Sequence, residues 1–240
     1  MKKFVPNFIT LLNLSCGIVA LRYVMDQAFD MALFWFFLGI VFDFLDGFAA
    51  RWLGVSSALG VELDSLADMV TSGLVPGQVM YALISYSTAS YGDEVHFYLP
   101  FAGYLVTLAS AYRLARFNID TRQHESFIGL PTPANALFIL SVGYMVQQAE
   151  YIKVLPLWAA LLITGVSCYL LNSNWPLFAL KFKNFSLKEN AIKYIFLLLS
   201  AILLLCFRVN AFALIILAYI LLSIGSNLFK SKIKDKDETN

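Results

Sequence analysis

Four aspartates define the chemistry this sequence could perform. Asp43 and Asp46 are three residues apart, and Asp64 and Asp68 are four apart, spacings that place each pair on one face of a helix. Asp43, Asp46, Gly47 and Ala50 make up one face; Asp64, Asp68, Thr71 and Ser72 make up the other. Joined through the segment around 52–62, the two stripes can meet across a helix pair. Convergent carboxylates suit a hard divalent ion such as Mg²⁺ or Mn²⁺, one or two of them. The absence of His and Cys nearby speaks against zinc. Gly47 and Ala50 leave room for a ligand beside the metal, and the Arg51 guanidinium suits a diphosphate or its leaving group. A single aspartate pair is equally well explained by a solvated loop; the complete arrangement is what points to a site.

The elements that hold these carboxylates belong in a bilayer. The chain has 240 residues, 60% of them hydrophobic and 14% charged, with mean hydropathy +0.72. A water-soluble domain is nearer half apolar and a quarter charged. Disorder and a secreted disulfide scaffold fail on the same figures, and Cys16, Cys168 and Cys206 sit in apolar runs as reduced packing residues. Stretches long enough to span are 7–24, 31–50, 65–87, 97–117, 132–149, 154–172, 191–208 and 211–229. The last two are separated by Arg208-Val209-Asn210, a short polar break read as a tight hairpin. The expected fold is therefore an all-α polytopic membrane protein of about eight transmembrane helices. The first apolar run superficially resembles a signal peptide, but Pro6, Asn7, Thr10 and Asn13 interrupt it, and it is read as a retained span.

Eight spans put both termini on one side. Fourteen of the 17 Lys+Arg then fall on that side, leaving only Arg22, Lys153 and Arg208 opposite. Positive charge accumulates on the cytoplasmic face, so both termini are expected there, in a cell or inner membrane. Residues 1–229 are expected to form one membrane domain, with its catalytic part at about 1–150, and 230–240 a charged cytoplasmic tail able to meet anionic lipid. A net charge of +1 gives no attraction to nucleic acid. An aspartate at the bilayer centre costs roughly 2.5–3.5 kcal/mol, and a helix end reduces that cost without removing it.

The stretch Asp43-Phe-Leu-Asp46-Gly47-Phe-Ala-Ala50-Arg51, eight residues, then Gly60-Val-Glu-Leu-Asp64-Ser-Leu-Ala-Asp68, resembles the motif of the CDP-alcohol phosphotransferases, D-x2-D-G-x2-A-R-x8-G-x3-D-x3-D. Eight specified positions at fixed spacing make chance agreement remote. The resemblance implies a divalent-metal enzyme, Mg²⁺ or Mn²⁺ with two ions expected, held by Asp43, Asp46, Asp64 and Asp68, with Asp68 as general base. It further implies a nucleotide site at Pro6, Asn7, Thr10, Asp46, Gly47, Ala50, Arg51 and Gly60, and a homodimer.

Three further segments are similar to the serine-using branch of that family. Pro6, Thr10, Asn13 and Gly17 share one helical face. Thr71-Ser72-Gly73-Leu74-Val75-Pro76 stands where that branch usually has Ser-Phe-Gly-x-Ala-Pro, departing at Thr71, Ser72 and Val75. Arg113-Leu-Ala-Arg116-Phe117-Asn118 is followed by Phe127-Ile-Gly129-Leu130-Pro131-Thr-Pro133-Ala134. What this implies is transfer of a phosphatidyl group from CDP-diacylglycerol to the hydroxyl of L-serine, with Thr71, Ser72, Arg113 and Arg116 at a substrate phosphate or at serine. The two arginines also read as ordinary anchors of a cytoplasmic flank, and 129–133 as a helix-entry turn. Within the family, glycerol 3-phosphate or inositol phosphate stays open as the acceptor. His96, on the outer side, and His124, in a cytoplasmic loop, have no nucleophile beside them and read as surface residues.

Overall fold

The computed structural model describes residues 4–55, 57–119, 127–149, 154–178, 180, 186, 187 and 190–237, with Phe127 and 228–237 described by backbone alone. Lys2, Lys3, Arg122, His124, Lys153, Lys181, Lys183 and Lys188 lie outside the described residues, as do the side chains of Lys230, Lys232, Lys234 and Lys236.

Helices α1 (Phe4–Met25) and α2 (Phe29–Trp52) form a hairpin through Asp26–Ala28. Gln27, at φ 64°, ends α1 in the left-handed conformation that commonly closes a helix. The buried stripe of α1 is Pro6, Thr10, Asn13, Cys16, Gly17, Ala20 and Val24, a period of three to four residues. Its N-terminal members are polar or small and its C-terminal end is apolar, so one helix face serves a site at one end and a core at the other.

A nearly continuous helical run follows: α3 (Ala58–Asp68), a π-helical turn (Met69–Leu74) and α4 (Val75–Thr88). Ser57 caps α3 by accepting from the Gly60 N–H at 3.0 Å. Pro76 supplies no backbone N–H to the carbonyl one turn before it, and the wide π turn lies immediately upstream. Next come α5 (Asp93–Tyr98), a 3₁₀ turn (Leu99–Tyr104) and α6 (Leu105–Ile119), then α7 (Thr132–Gln148) and α8 (Leu157–Asn172). The main core is assembled from α1, α2, α4, α6, α7 and α8 around Phe36, Met80, Leu83, Ile84, Ile139 and Leu140.

Helices α9 (Ala191–Phe207) and α10 (Ala211–Asp237) are joined by a 3₁₀ turn at Arg208–Asn210. The Phe196 and Tyr219 rings meet at 5.7 Å, which requires the chain to reverse at that turn, with Arg208 at φ 52°. Helix α10 continues past residue 229 to Asp237. The segment expected as a tail contains no Gly or Pro after Gly225, so it simply propagates an existing helix.

Each of the eight expected stretches thus coincides with helix. Among the described residues, three pieces are long and apolar enough to cross a membrane: Phe4–Met25, Phe29–Trp52 and the hairpin Ala191–Asn227. Large apolar side chains such as Phe34, Phe48, Leu162, Leu205 and Leu221 project outward, as lipid-facing residues must. Among the described residues the fold departs from all-α at one point, where β1 (Phe127–Ile128) pairs antiparallel with β2 (Pro176–Leu177). Gly129 follows at φ 73°, and a Cβ there would sit 2.7 Å from the Leu171 carbonyl oxygen. Only glycine fits.

Candidate active site

The α1–α2 hairpin and α3 converge on the aspartates. Asp43, Asp46 and Asp64 each offer a carboxylate oxygen within 4.8 Å of the others. Thr10, on the buried face of α1, donates to Asp46 Oδ2 at 2.6 Å while also reaching the Pro6 carbonyl at 3.0 Å. Asp46 is the most enclosed of the three, 7% exposed, and the Thr10 hydroxyl fixes one of its oxygens and leaves the other for the cluster. Three acidic groups at this separation repel one another unless a cation or protons lie among them. An all-oxygen donor set of this kind fits a hard divalent ion.

Asp68 stands one helical turn beyond Asp64 and outside that triad. It lies close enough to Asp43, Asp46, Asp64 and Arg113 to interact electrostatically with each. Its other neighbour is Asn13, 1% exposed, whose side-chain amide faces the Asp68 carboxylate. The resemblance set Asp68 apart only by its role as base; the structure separates three clustered carboxylates from this fourth one, which lies near both the cluster and the Arg113 guanidinium.

Beside the triad opens a cleft of roughly 180 Å³ lined by Pro6, Asn7, Thr10, Asp46, Gly47, Ala50, Val55, Ser57, Gly60, Val61 and Asp64. All the residues expected at a nucleotide except Arg51 share this wall. Arg51 lies at its rim, exposed, with its guanidinium beside Gly47. A Cβ on Gly60 would stand 3.1 Å from Ser57 Oγ and 3.3 Å from Asn7 Oδ1, so the glycine lets α1 and the start of α3 close together. Val55, Ser57 and Val61 were missed from sequence. Ser57 had a signal, a serine three residues before Gly60 at a helix start; the two valines had none.

The second group of expected residues divides. Thr71 and Ser72 lie in the π turn at 1% exposure. Thr71 Oγ1 donates to the Asn13 carbonyl at 3.3 Å, and a Cβ on Gly17 would come within 2.5 Å of that hydroxyl. Thr71 is thus spent on packing α1 against the π turn and does not face the cleft. Arg113, 8% exposed, donates from Nη1 to Thr132 Oγ1 at 2.8 Å. Arg116, half-buried, donates to Asn174 Oδ1 at 2.9 Å and lines one small cavity with Arg113. The 129–133 segment enters α7, as the sequence allowed, and also presents Thr132 to Arg113. The stretch after α8 reads from sequence as a connector only, with no pairing expected of it. Asn172 holds the Ala109 carbonyl at 3.1 Å, and β2 clasps β1, pairings visible only once the chain is folded.

His96 is exposed, with Nδ1 3.2 Å from Thr88 Oγ1, a helix-end contact remote from the aspartates.

Comparison with known proteins agrees with this geometry. The model of the family described as CDP-alcohol phosphatidyltransferase matches residues 3–166. The CDP-diacylglycerol–serine O-phosphatidyltransferase of Bacillus subtilis is 36% identical over 147 residues, 59% of this chain and 77% of that protein. The protein of the same name from Helicobacter pylori strain J99 is 34% identical over 137 residues, and the match spans 55% of its length. That of Methanocaldococcus jannaschii is 30% identical over 159 residues, 66% of this chain and 70% of its own.

Proposed function

Because the chain belongs to the CDP-alcohol phosphatidyltransferase family, we propose that this membrane phosphotransferase is a CDP-diacylglycerol–serine O-phosphatidyltransferase, making phosphatidylserine and CMP. The observation that carries the reading is the Asp43–Asp46–Asp64 triad opening onto the cleft beneath Pro6, Asn7 and Thr10. The names of the B. subtilis, H. pylori and M. jannaschii relatives supply the acceptor.

Asp43, Asp46 and Asp64 would hold Mg²⁺ or Mn²⁺, with Asp68 a further ligand where two ions bind. A metal bound there would supply charge neutralisation for the diphosphate and for the leaving CMP. The cleft walls take the cytidine nucleotide, with Gly47 and Gly60 giving its backbone-close space and Arg51 at the rim meeting phosphate. Asp68 receives the proton of the serine hydroxyl. As that proton leaves, the serine oxygen bonds to the phosphorus bearing diacylglycerol, the diphosphate P–O bond breaks, and its electron pair departs on CMP. Arg113 pairs with an anionic group of the substrates. Nucleotide and serine are aqueous and the acyl chains are not, so the site belongs at a membrane surface. The basic flanks make that the cytoplasmic face, with eight crossings and both termini inside. A homodimer follows from the family resemblance alone.

CMP release from CDP-diacylglycerol by purified protein, with Mg²⁺ or Mn²⁺ and with serine, glycerol 3-phosphate or inositol phosphate as acceptor, tests this. Serine-dependent release is expected. Release with only a phosphorylated acceptor overturns the serine assignment while keeping the family.

A further inference from the structure

Helices α9 and α10 lie beyond the segment that the family model matches, 3–166, yet α10 is tied to the site through β2. Tyr219, Ser223 and Asn227 recur at every fourth residue and share one face of α10, and Ser223, between the other two, is fully buried. Tyr219 Oη donates to the Phe178 carbonyl at 3.0 Å, and Asn227 Nδ2 donates to the Pro176 carbonyl. Successive carbonyls of a strand point to opposite edges. The Trp175 carbonyl takes the Gly129 N–H at 3.0 Å on the β1 side, while those of Pro176 and Phe178 point to α10. Two side chains of α10 thus supply the donors that a further strand would supply. Behind them Tyr219 packs with Leu130, Leu177 and Phe196, its ring 4.9 Å from that of Phe178.

What β2 holds is the approach to Arg113. Strand β1 runs directly into Gly129 and Leu130, whose N–H groups are fixed by the Trp175 and Leu170 carbonyls at 3.0 and 2.8 Å. Two residues later Thr132 Oγ1 accepts from Arg113 Nη1 at 2.8 Å. Ile128 of β1, with Asn172 and Ser173 after α8, also walls the small cavity that Arg113 and Arg116 share. Arg113 lies near Asp68 as well, and near Tyr219 itself. A guanidinium on a long flexible stem recognises an anion by direction, and Thr132 fixes that direction for Nη1. Resting on the reading of Arg113 as the cation that pairs with a substrate anion, we propose that Tyr219 and Asn227 are positioning residues for it. By pinning β2 they hold β1, and through it Thr132, against the guanidinium.

The test is CMP release by the full-length protein in detergent with Mn²⁺, acceptor and CDP-diacylglycerol being varied separately. Tyr219→Phe keeps the ring and loses only its hydroxyl bond, and Asn227→Ala truncates a side chain near the end of α10, so a folded double variant is expected. It should lower kcat/KM about tenfold, through the same parameter (kcat or one KM) that Arg113→Lys changes, because small misplacements of a substrate-orienting group are amplified in rate. Placed in the Arg113→Lys background, the same two changes should cost less than about twofold, since the fork they aim is gone. A merely structural role predicts equal losses in both backgrounds; that result, or a change in a different parameter, overturns the proposal. Leu221→Ala, on the exposed face of α10, should move none of these values, and a loss equal to the double variant's overturns it too. Hydrogen exchange gives a readout without turnover. The Gly129 and Leu130 amides should exchange about tenfold faster in the double variant, and unchanged exchange overturns the link through β2. If the unaltered protein releases CMP with a phosphorylated acceptor and not with serine, the serine reading falls while the positioning of Arg113 is still decided by the two backgrounds; no release with any acceptor removes both.

Discussion

A methyl group added at Gly17 measures how tightly the site is set by the approach of α1 to the π turn. An ideal Cβ at Gly17 falls 2.5 Å from Thr71 Oγ1, 3.0 Å from Thr71 Cα and 3.1 Å from Thr71 N. The hydroxyl can rotate away, but backbone atoms cannot. Restoring an ordinary carbon–carbon contact of ~3.5 Å requires the two segments to part by about 0.5 Å. Overpacking of this kind costs about 1–3 kcal/mol, against a gain of up to about 1 kcal/mol from replacing glycine by alanine within a helix. Gly165 is the matched control, since a Cβ there meets nothing within 4 Å and only the gain applies. Gly17→Ala should therefore be less stable than Gly165→Ala by about 1–3 kcal/mol, read as thermal unfolding in one detergent. The same separation moves Asp68, three residues before Thr71, away from Asp43 and Asp46. A 1 Å misplacement can cost about 100-fold, so roughly a tenfold fall in CMP release is expected at half that offset. Gly17→Ala protein that melts with Gly165→Ala and turns over at full rate would refute the argument.

Three further outcomes follow from the geometry. Asp43→Asn removes one of three crowded carboxylates, so the protein in EDTA should melt higher through relief of repulsion, while turnover drops by about 10³-fold and Mn²⁺ no longer raises the melting temperature. An unchanged Mn²⁺ response would remove Asp43 from the ligand set. Asp68→Asn should abolish turnover in a folded protein and keep much of the Mn²⁺ melting response, because the triad is intact; normal turnover would eliminate Asp68 as the base. Arg113→Lys, which gives up a planar donor fork buried against Thr132, should cost about 100-fold, and Arg116→Lys only a few-fold. Equal losses would mean the two arginines act as a pair after all.

The chemistry and the membrane setting were legible along the chain. A carboxylate at every third or fourth position has a fixed direction on a helix, so Asp43 with Asp46 and Asp64 with Asp68 could be read as faces before any fold was known. The same periodicity gave the α1 stripe from Pro6 to Gly17 and the positions of eight helical stretches, including the reversal at Arg208–Asn210. These are local properties, set by backbone geometry within one or two turns and by the cost of placing polar groups in lipid.

What periodicity cannot carry is the distance between faces. The 4.8 Å triad with Asp68 set apart depends on how closely α1 and α2 approach α3, which Gly17 and Gly60 decide through contacts dozens of residues away. Arg113 and Arg116 look equivalent at three-residue spacing, but α7 presents Thr132 to the first and the chain after α8 presents Asn174 to the second, so one is buried and its neighbour half-buried. Tyr219 and Asn227 show the limit most plainly. In sequence they are two polar residues in a long apolar run; only packing brings them to the carbonyls at β2, and β2 to the strand that leads to Thr132. The sequence by itself determined which atoms could react and in what medium, because covalent spacing is local; tertiary structure alone decided which of them share a site, because that is settled by non-local packing.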